Sequence, residues 1–273
     1  MLIDKPQGIT SHDAVDLVRD ALGIRKVGHA GTLDPMATGL LVMGVGRATR
    51  LLRFLGALDK EYEGTVRLGE QTDTLDADGT VTRTGPVDVD QEELRRAMAE
   101  LTGEIEQRPP AYSAVKVEGR RLHRAARAGE PLEAPPRRVR VNAFDLLRFD
   151  GRDADVRLVC SSGTYVRVLA ADLGARLGAG AHLVRLVRTR IGPFRVEDAT
   201  PPDRPGDPLP AAAAVAHLPR VELEEEEAEA ARHGRCLGPT AIAGPYGAFA
   251  PDGRLVGVFR DTDGKSCPEV VLA

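Results

Sequence analysis

Asp34 stands in the run Gly28-His29-Ala30-Gly31-Thr32-Leu33-Asp34-Pro35-Met36-Ala37-Thr38-Gly39, where glycines frame a lone carboxylate and a proline follows it. Glycine lets a backbone turn tightly or left-handed and lets a ligand come close. Pro35 fixes its own φ and biases Asp34 away from helix. An acid on such a loop between packed elements suits nucleophilic or general-base chemistry. An Asp-Pro pair also caps ordinary turns, so residue type alone leaves both readings open. Arg167, in Gly163-Thr164-Tyr165-Val166-Arg167, is the candidate counter-charge. A neighbouring arginine lowers a carboxyl pKa by roughly 1–3 units, and its planar fork orients the acid as well. Tyr62, in Lys60-Glu61-Tyr62, offers a phenol at the start of a strand, although strand tyrosines are commonly core. Asp76 belongs to Thr72-Asp73-Thr74-Leu75-Asp76-Ala77-Asp78-Gly79, which imitates a calcium loop without its distal glutamate. A metal-dependent hydrolase using His29, Asp34 and Asp76 would need tight ligand spacing that this chain lacks. No metal and no cofactor is expected.

Local patterns say how these groups are held. Ser11 is expected to cap a helix with Ala14, Val18, Ala21 and Leu22 on one face, ending at Gly23. Leu40 to Val45 reads as a buried strand, followed by a short helix from Ala48 to Leu55. Glu61 to Leu68 alternates, with Tyr62, Gly64, Val66 and Leu68 sharing one face. Asp90 and Glu93 form a capping box ahead of the stripe Leu94, Ala97, Met98 and Leu101. Val139 and Val141, then Val156, Leu158 and Cys160, resume strand alternation. Thr164 is expected to cap a helix carrying Val166, Leu169, Leu173 and Leu177, which puts Arg167 in its first turn. An arginine there opposes the helix dipole, so its presence wants another reason. Leu183 to Ile191 reads as a further strand. Without regular βαβ alternation, the pattern favours an α+β domain on a mixed, largely antiparallel sheet.

Two proline-marked segments divide the chain. Pro109-Pro110 and Pro135-Pro136 bracket residues 109–136, read as an extended, mobile basic insertion. It holds Lys116, Arg120, Arg121, Arg124 and Arg127, with Arg137, Arg138 and Arg140 just beyond. The passage from Pro201 to Pro210 separates a domain at 1–205 from a small β-rich module at 206–273. Net charge is −4, which argues against a general nucleic-acid binder. Its distribution argues otherwise: the basic cluster contrasts with an acidic run at Glu222, Glu224 to Glu227 and Glu229. Separated signs suit one face for a polyanion and an acidic surface elsewhere. Cys160, Cys236 and Cys267 lie far apart without metal spacing, and their odd number favours reduced thiols in a cytosol. The start lacks a signal-peptide pattern and the chain lacks a bilayer-length apolar run, so a soluble cytoplasmic protein is expected.

Taken together the motifs resemble the TruB family of tRNA pseudouridine synthases, whose pattern Gly-His-x-Gly-x-Leu-Asp-Pro-x-Ala-Thr-Gly matches residues 28–39. The likeness extends to Leu2-Ile3-Asp4-Lys5-Pro6-Gln7-Gly8, Lys60-Glu61-Tyr62, the Thr72 to Gly79 string and Gly163 to Arg167, in the expected order. The resemblance implies the pseudouridine synthase fold, a central sheet split by an active-site cleft, and a small C-terminal PUA-like module. It implies isomerisation of uridine to pseudouridine at position 55 in the T loop of tRNA, by base flipping and an aspartate nucleophile, without a cofactor. Catalytic roles then fall to Asp34, to Arg167 as its partner, and to Tyr62, which stacks on the uracil or takes a ribose proton. Tyr165 and Leu186 would line the uracil pocket, His29 would enter the space of the everted nucleotide, and Asp76 would orient the site. Lys5, Lys116, Arg120 and Arg121 are expected on phosphates of the tRNA T arm. No obligate protein partner and no membrane are expected, and the chain should act as a monomer. A tRNA-binding module without chemistry would also use the basic insertion. Such a relative should have lost Asp34, Tyr62 or Arg167, and all are present.

Overall fold

Residues 1–113, 115–130 and 132–272 are described by a computed structural model. Up to Arg195 the elements run β1 (Leu2–Lys5), α1 (Ser11–Leu22), β2 (Val27–His29), β3 (Thr38–Val45), α2 (Leu52–Leu55), β4 (Lys60–Leu68), β5 (Glu70–Thr72) and β6 (Val81–Thr84). They continue as α3 (Gln91–Glu100), β7 (Gly103–Gln107), β8 (Lys116–Val117), β9 (Arg120–Arg121), α4 (Leu122–Arg127) and β10 (Arg137–Phe149). β11 (Asp153–Cys160), α5 (Val166–Arg176), β12 (Ala181–Ile191) and β13 (Phe194–Arg195) complete this part. Beyond it lie β14 (Arg220–Glu222), α6 (Glu225–Arg232), β15 (Pro245–Phe249), β16 (Leu255–Thr262) and β17 (Lys265–Val271).

The central sheet has the order β1-β3-β12-β4-β11-β10-β7, with β2 beside β3 and β13 beside β12. β3 and β12 pair in parallel, while the neighbouring pairs of this sheet run antiparallel. That is the mixed, largely antiparallel α+β architecture expected from the sequence. Period-two burial is plain in β4, where Tyr62, Gly64, Val66 and Leu68 face inward. With Val156, Leu158 and Cys160 of β11 they pack under Leu94 and Met98 of α3 and Leu169 and Leu173 of α5. Truncating a fully buried leucine such as Leu158 to alanine should cost about 2–5 kcal/mol. α5 lies so close to β12 that a Cβ on Gly174 would come within 2.2 Å of the Ala181 nitrogen. The helix carrying Arg167 is therefore fixed on the sheet rather than hinged.

Helix starts depart from expectation in an informative way. Thr10, not Ser11, caps α1, because Asp13 lies three residues on and completes the reciprocal capping box. Ser11 is buried instead, with its hydroxyl donating to the Leu33 carbonyl (3.1 Å) and accepting from the Leu33 N–H (2.8 Å). Tyr165 is the N-cap of α5, without a side-chain cap bond, while the Thr164 hydroxyl turns back to the Ser161 carbonyl. The expected capping box at Asp90 and Glu93 is present. The short helix expected from Ala48 to Leu55 is split, with a 3-10 turn over Gly46–Leu51 before α2.

The described residues of 109–136 are folded rather than extended. β8 and β9 form a short hairpin, and α4 buries Leu122 and Ala125, an i,i+3 pair that sequence polarity had hidden. At the C-terminal end β14, β15, β16 and β17 form a second sheet in that order, covered by α6 through Ala228 and Ala231. Arg47, Arg50 and Arg53 tie it to the rest of the chain by donating to the carbonyls of Leu272, Val271 and Glu269. Cys236 and Cys267 are joined in a disulfide, which corrects the expectation of reduced thiols; only Cys160, buried in the main core, is free among the described residues. Chain separation concealed the pair, since the turn after α6 brings Cys236 back to β17. Among the described residues no helix is long and apolar enough to cross a membrane.

Candidate active site

The Asp34 turn joins β2 to β3 and is gripped from several sides. Ser11 holds Leu33 as described. Lys5, at the end of β1, donates to the carbonyls of Ile9 (2.7 Å), Pro6 (2.9 Å) and Pro35 (3.4 Å). Arg188 of β12 donates to the carbonyls of Leu40 (2.7 Å), Gly31 (3.1 Å) and Thr32 (3.4 Å). Gly39, with φ +98, lies so near β12 that a Cβ there would sit 2.4 Å from the Arg188 carbonyl oxygen. Gly39 thus serves close backbone approach, while Gly31, at φ +90, takes a left-handed turn.

Arg167 leaves the first turn of α5 and inserts between two acids. Its Nε lies 3.3 Å from Asp34 Oδ2, its Nη2 3.4 Å from Asp34 Oδ1, and its Nη1 3.3 Å from Asp76 Oδ2. Nη2 also donates to the Tyr112 carbonyl at 2.7 Å, and Nη1 to the Thr74 carbonyl at 3.3 Å. The Nε contact is close in distance but poorly aligned, so Arg167 grips Asp34 by charge more than by directed bonds. Asp76 is anchored further by the Thr74 hydroxyl (2.6 Å) and the Asp78 N–H (3.2 Å). Its turn carries Leu75 at φ 66, a left-handed conformation that costs a leucine energy and is sustained by its surroundings. The side chains of Arg167 and Asp76 are 6% and 5% exposed, whereas that of Asp34 is 39% exposed. Asp34 is therefore the acid a ligand can reach.

Burial pushes the Asp34 carboxyl above the ordinary range; Arg167 and, more weakly, Lys5 pull it down, while Asp76 and Asp78 push it up. Arginine pairing was expected to lower it and keep the acid ionised. Desolvation outweighs that attraction, and the negative charges of Asp76 and Asp78 add to it.

Tyr62 and Leu186 are buried together with Leu33 and Met36, which flank Asp34 in the chain, so the apolar wall and the acid adjoin. Burial raises the Tyr62 phenol, opposed by the charge of Arg188 and its hydrogen bond. Tyr165 is half-buried; its N–H and carbonyl bond the Gln107 side chain (3.0 and 3.3 Å), and Arg137 stacks 4.6 Å from its ring centre. His29 closes β2, half-buried, and burial lowers its imidazole pKa. Lys116, Arg120 and Arg121 are exposed on the hairpin, where Lys116 faces Arg121 across the strands. Arg120 pairs with Glu130 at 2.8 Å.

Lys5 is the clear correction. With 0% exposure and its three carbonyl partners it supports the turn from beneath, out of reach of a phosphate. Burial lowers its ammonium to about 8, with Asp34 raising it and Arg188 lowering it. Arg188 and Gln107 escaped the sequence reading, and Ser11 was read only as a helix cap. The available signal for Arg188 was its place two residues after Leu186, on the inward face of a largely apolar strand. An abundance of arginine throughout the chain masked it.

A carboxylate open to solvent, steadied by a buried arginine and a second acid beside an apolar, tyrosine-bearing wall, defines a carboxylate-dependent enzyme of the α+β class. Comparison with known proteins agrees. The profile of the TruB family pseudouridylate synthase N-terminal domain matches residues 19–166, and that of the tRNA pseudouridine synthase II C-terminal region matches residues 218–273. The chain is 48% identical to the tRNA pseudouridine synthase B of Mycobacterium sp. (strain KMS), covering 100% of this chain and 95% of the relative. It is also 48% identical to that of Thermobifida fusca (strain YX), covering 100% and 98%. Among solved structures, a chain of a Cbf5-Nop10-Gar1 complex superposes with a TM-score of 0.75 at 27% identity, covering 100% of this chain and 84% of that one. The protein belongs to the TruB family of pseudouridine synthases.

Proposed function

We propose that this protein converts uridine to pseudouridine at position 55 in the T loop of tRNA. The reaction breaks the bond from ribose C1′ to uracil N1, turns the base, and bonds C1′ to C5; the C5 proton is lost and N1 gains one. Atoms and oxidation level are conserved, so the isomerisation consumes no cofactor. Asp34 supplies the nucleophilic carboxylate, and Arg167 keeps it ionised against the desolvation that favours its neutral form. Asp76 fixes the guanidinium from the opposite side. Tyr62 and Leu186 form the wall against which an everted uracil rests, with Tyr165 at its edge. Eversion costs a few kcal/mol, less in an irregular loop; His29 fills the vacated stack. Lys116, Arg120 and Arg121 hold phosphates of the T arm, and the enzyme works as a monomer in the cytoplasm.

The single observation that supports this reading most is the Asp34–Arg167–Asp76 array with only Asp34 open to solvent. The test is direct. Purified protein is incubated with a T-arm stem-loop, and pseudouridine is mapped by carbodiimide labelling. Modification at the T-loop uridine, absent with Asp34→Asn, is expected. Product at another uridine, or none, refutes it.

A further inference from the structure

Arg188 is 1% exposed, and its guanidinium is held by three main-chain carbonyls rather than by a carboxylate. A charge taken out of water without an acid partner is costly, so such a site usually has a reason beyond stability. Its surroundings make it more costly still. Lys5 of β1 and Lys60 of β4 are also buried cations solvated by carbonyls, and Arg188 disfavours the charge on each. It likewise disfavours protonation of His29 on β2. Lysine is held less firmly to its charge in such surroundings, as burial shows by lowering Lys5 to about 8, whereas arginine keeps its charge. A cation that must survive at this point has to be arginine.

Two contacts say what the charge does. Gly31, Thr32 and Leu40, whose carbonyls it binds, lie on both sides of Asp34 in the chain. Tyr62 is its cross-strand partner between β12 and β4, so both side chains share one sheet face, and the Arg188 charge acts directly on the phenol. We propose that Arg188 is a positioning residue that locks the Asp34 turn and the Tyr62 hydroxyl into one rigid unit, so that the chemical step depends on a cation that never contacts RNA. The inference rests on the pseudouridine-forming reading of the site.

Single-turnover rates and tRNA dissociation constants of wild type, Arg188→Gln and Arg188→Lys test it. Arg188→Gln should lower the rate by at least about tenfold and leave the dissociation constant within about twofold. Arg188→Lys should recover much of that rate near about pH 6 and lose it again near about pH 9, where a buried ammonium gives up its proton. In a Tyr62→Phe background the loss from Arg188→Gln should shrink, since one of its two targets is gone. Should Arg188→Gln fail to fold, the Arg188→Lys rate and its pH profile decide alone. A wild-type rate in Arg188→Gln, a lysine variant with a wild-type pH profile, or a dissociation constant that worsens in step with the rate would overturn the proposal. Inactive wild type would instead refute the underlying reading.

Discussion

Arginine does opposite kinds of work around Asp34 and on the β8–β9 hairpin. Arg167 and Arg188 are buried, bind acids or carbonyls through fixed atoms, and act over a few ångströms. Arg120 and Arg121 are exposed on β9, and Arg120 rests on Glu130 in a surface pair. Buried guanidinium charge is little screened and sets the ionisation and geometry of its neighbours, while surface charge is screened by salt within about 8–10 Å. The first kind should govern rate and the second affinity. Tyr112 joins the two regions, because its carbonyl, in the same segment as the hairpin, receives the shortest bond that Arg167 makes.

That division can be broken in order of expected effect. Asp34→Asn should lower the single-turnover rate by at least about four orders of magnitude while tRNA binding stays within a few-fold; loss of binding instead would make Asp34 structural. Arg167→Met should cost about two to three orders of magnitude in rate. It should also shift the acid limb of the rate. On the proposed mechanism the ionised carboxylate is the active form, and rate is lost as pH falls through the Asp34 value, which burial already raises. Removing Arg167 takes away the main influence lowering that value, so the loss should begin at higher pH; an unmoved limb would disconnect the pair. Arg120→Ala with Arg121→Ala should leave the rate unchanged, weaken binding, and reduce the salt slope by about one unit per lost phosphate contact. Glu130→Ala should be the mildest, freeing Arg120 and tightening binding by about twofold at low salt; weaker binding would mean that the pair organises the hairpin.

Much of the fold was legible because strand and helix periods were clean. β4, β11 and α3 fall where alternation and the Asp90–Glu93 box put them. Asp34, Arg167, Tyr62 and Leu186 come together in space, although more than a hundred residues separate the first two. What stayed hidden depends on competition that a linear pattern does not record. Thr10 and Ser11 can both cap a helix, and the winner was set by Asp13 and by the need of Leu33 for a hydroxyl. Lys5 looked like a phosphate ligand because lysines usually lie outside; its burial follows from β1 lying next to β3 beneath the turn. The direction of the Asp34 shift required knowing how deeply the carboxyl is desolvated and that Asp76 and Asp78 stand near it.

The bond between Cys236 and Cys267 spans 31 positions of chain. By loop-closure entropy such a link contributes about 3–4 kcal/mol, all of it lodged in the C-terminal sheet. Handling the protein in thiol reductants would thus soften that end first, and its melting would uncouple from that of the part that holds Asp34. Preparations from reducing and oxidising hosts should differ in heat resistance long before they differ in turnover.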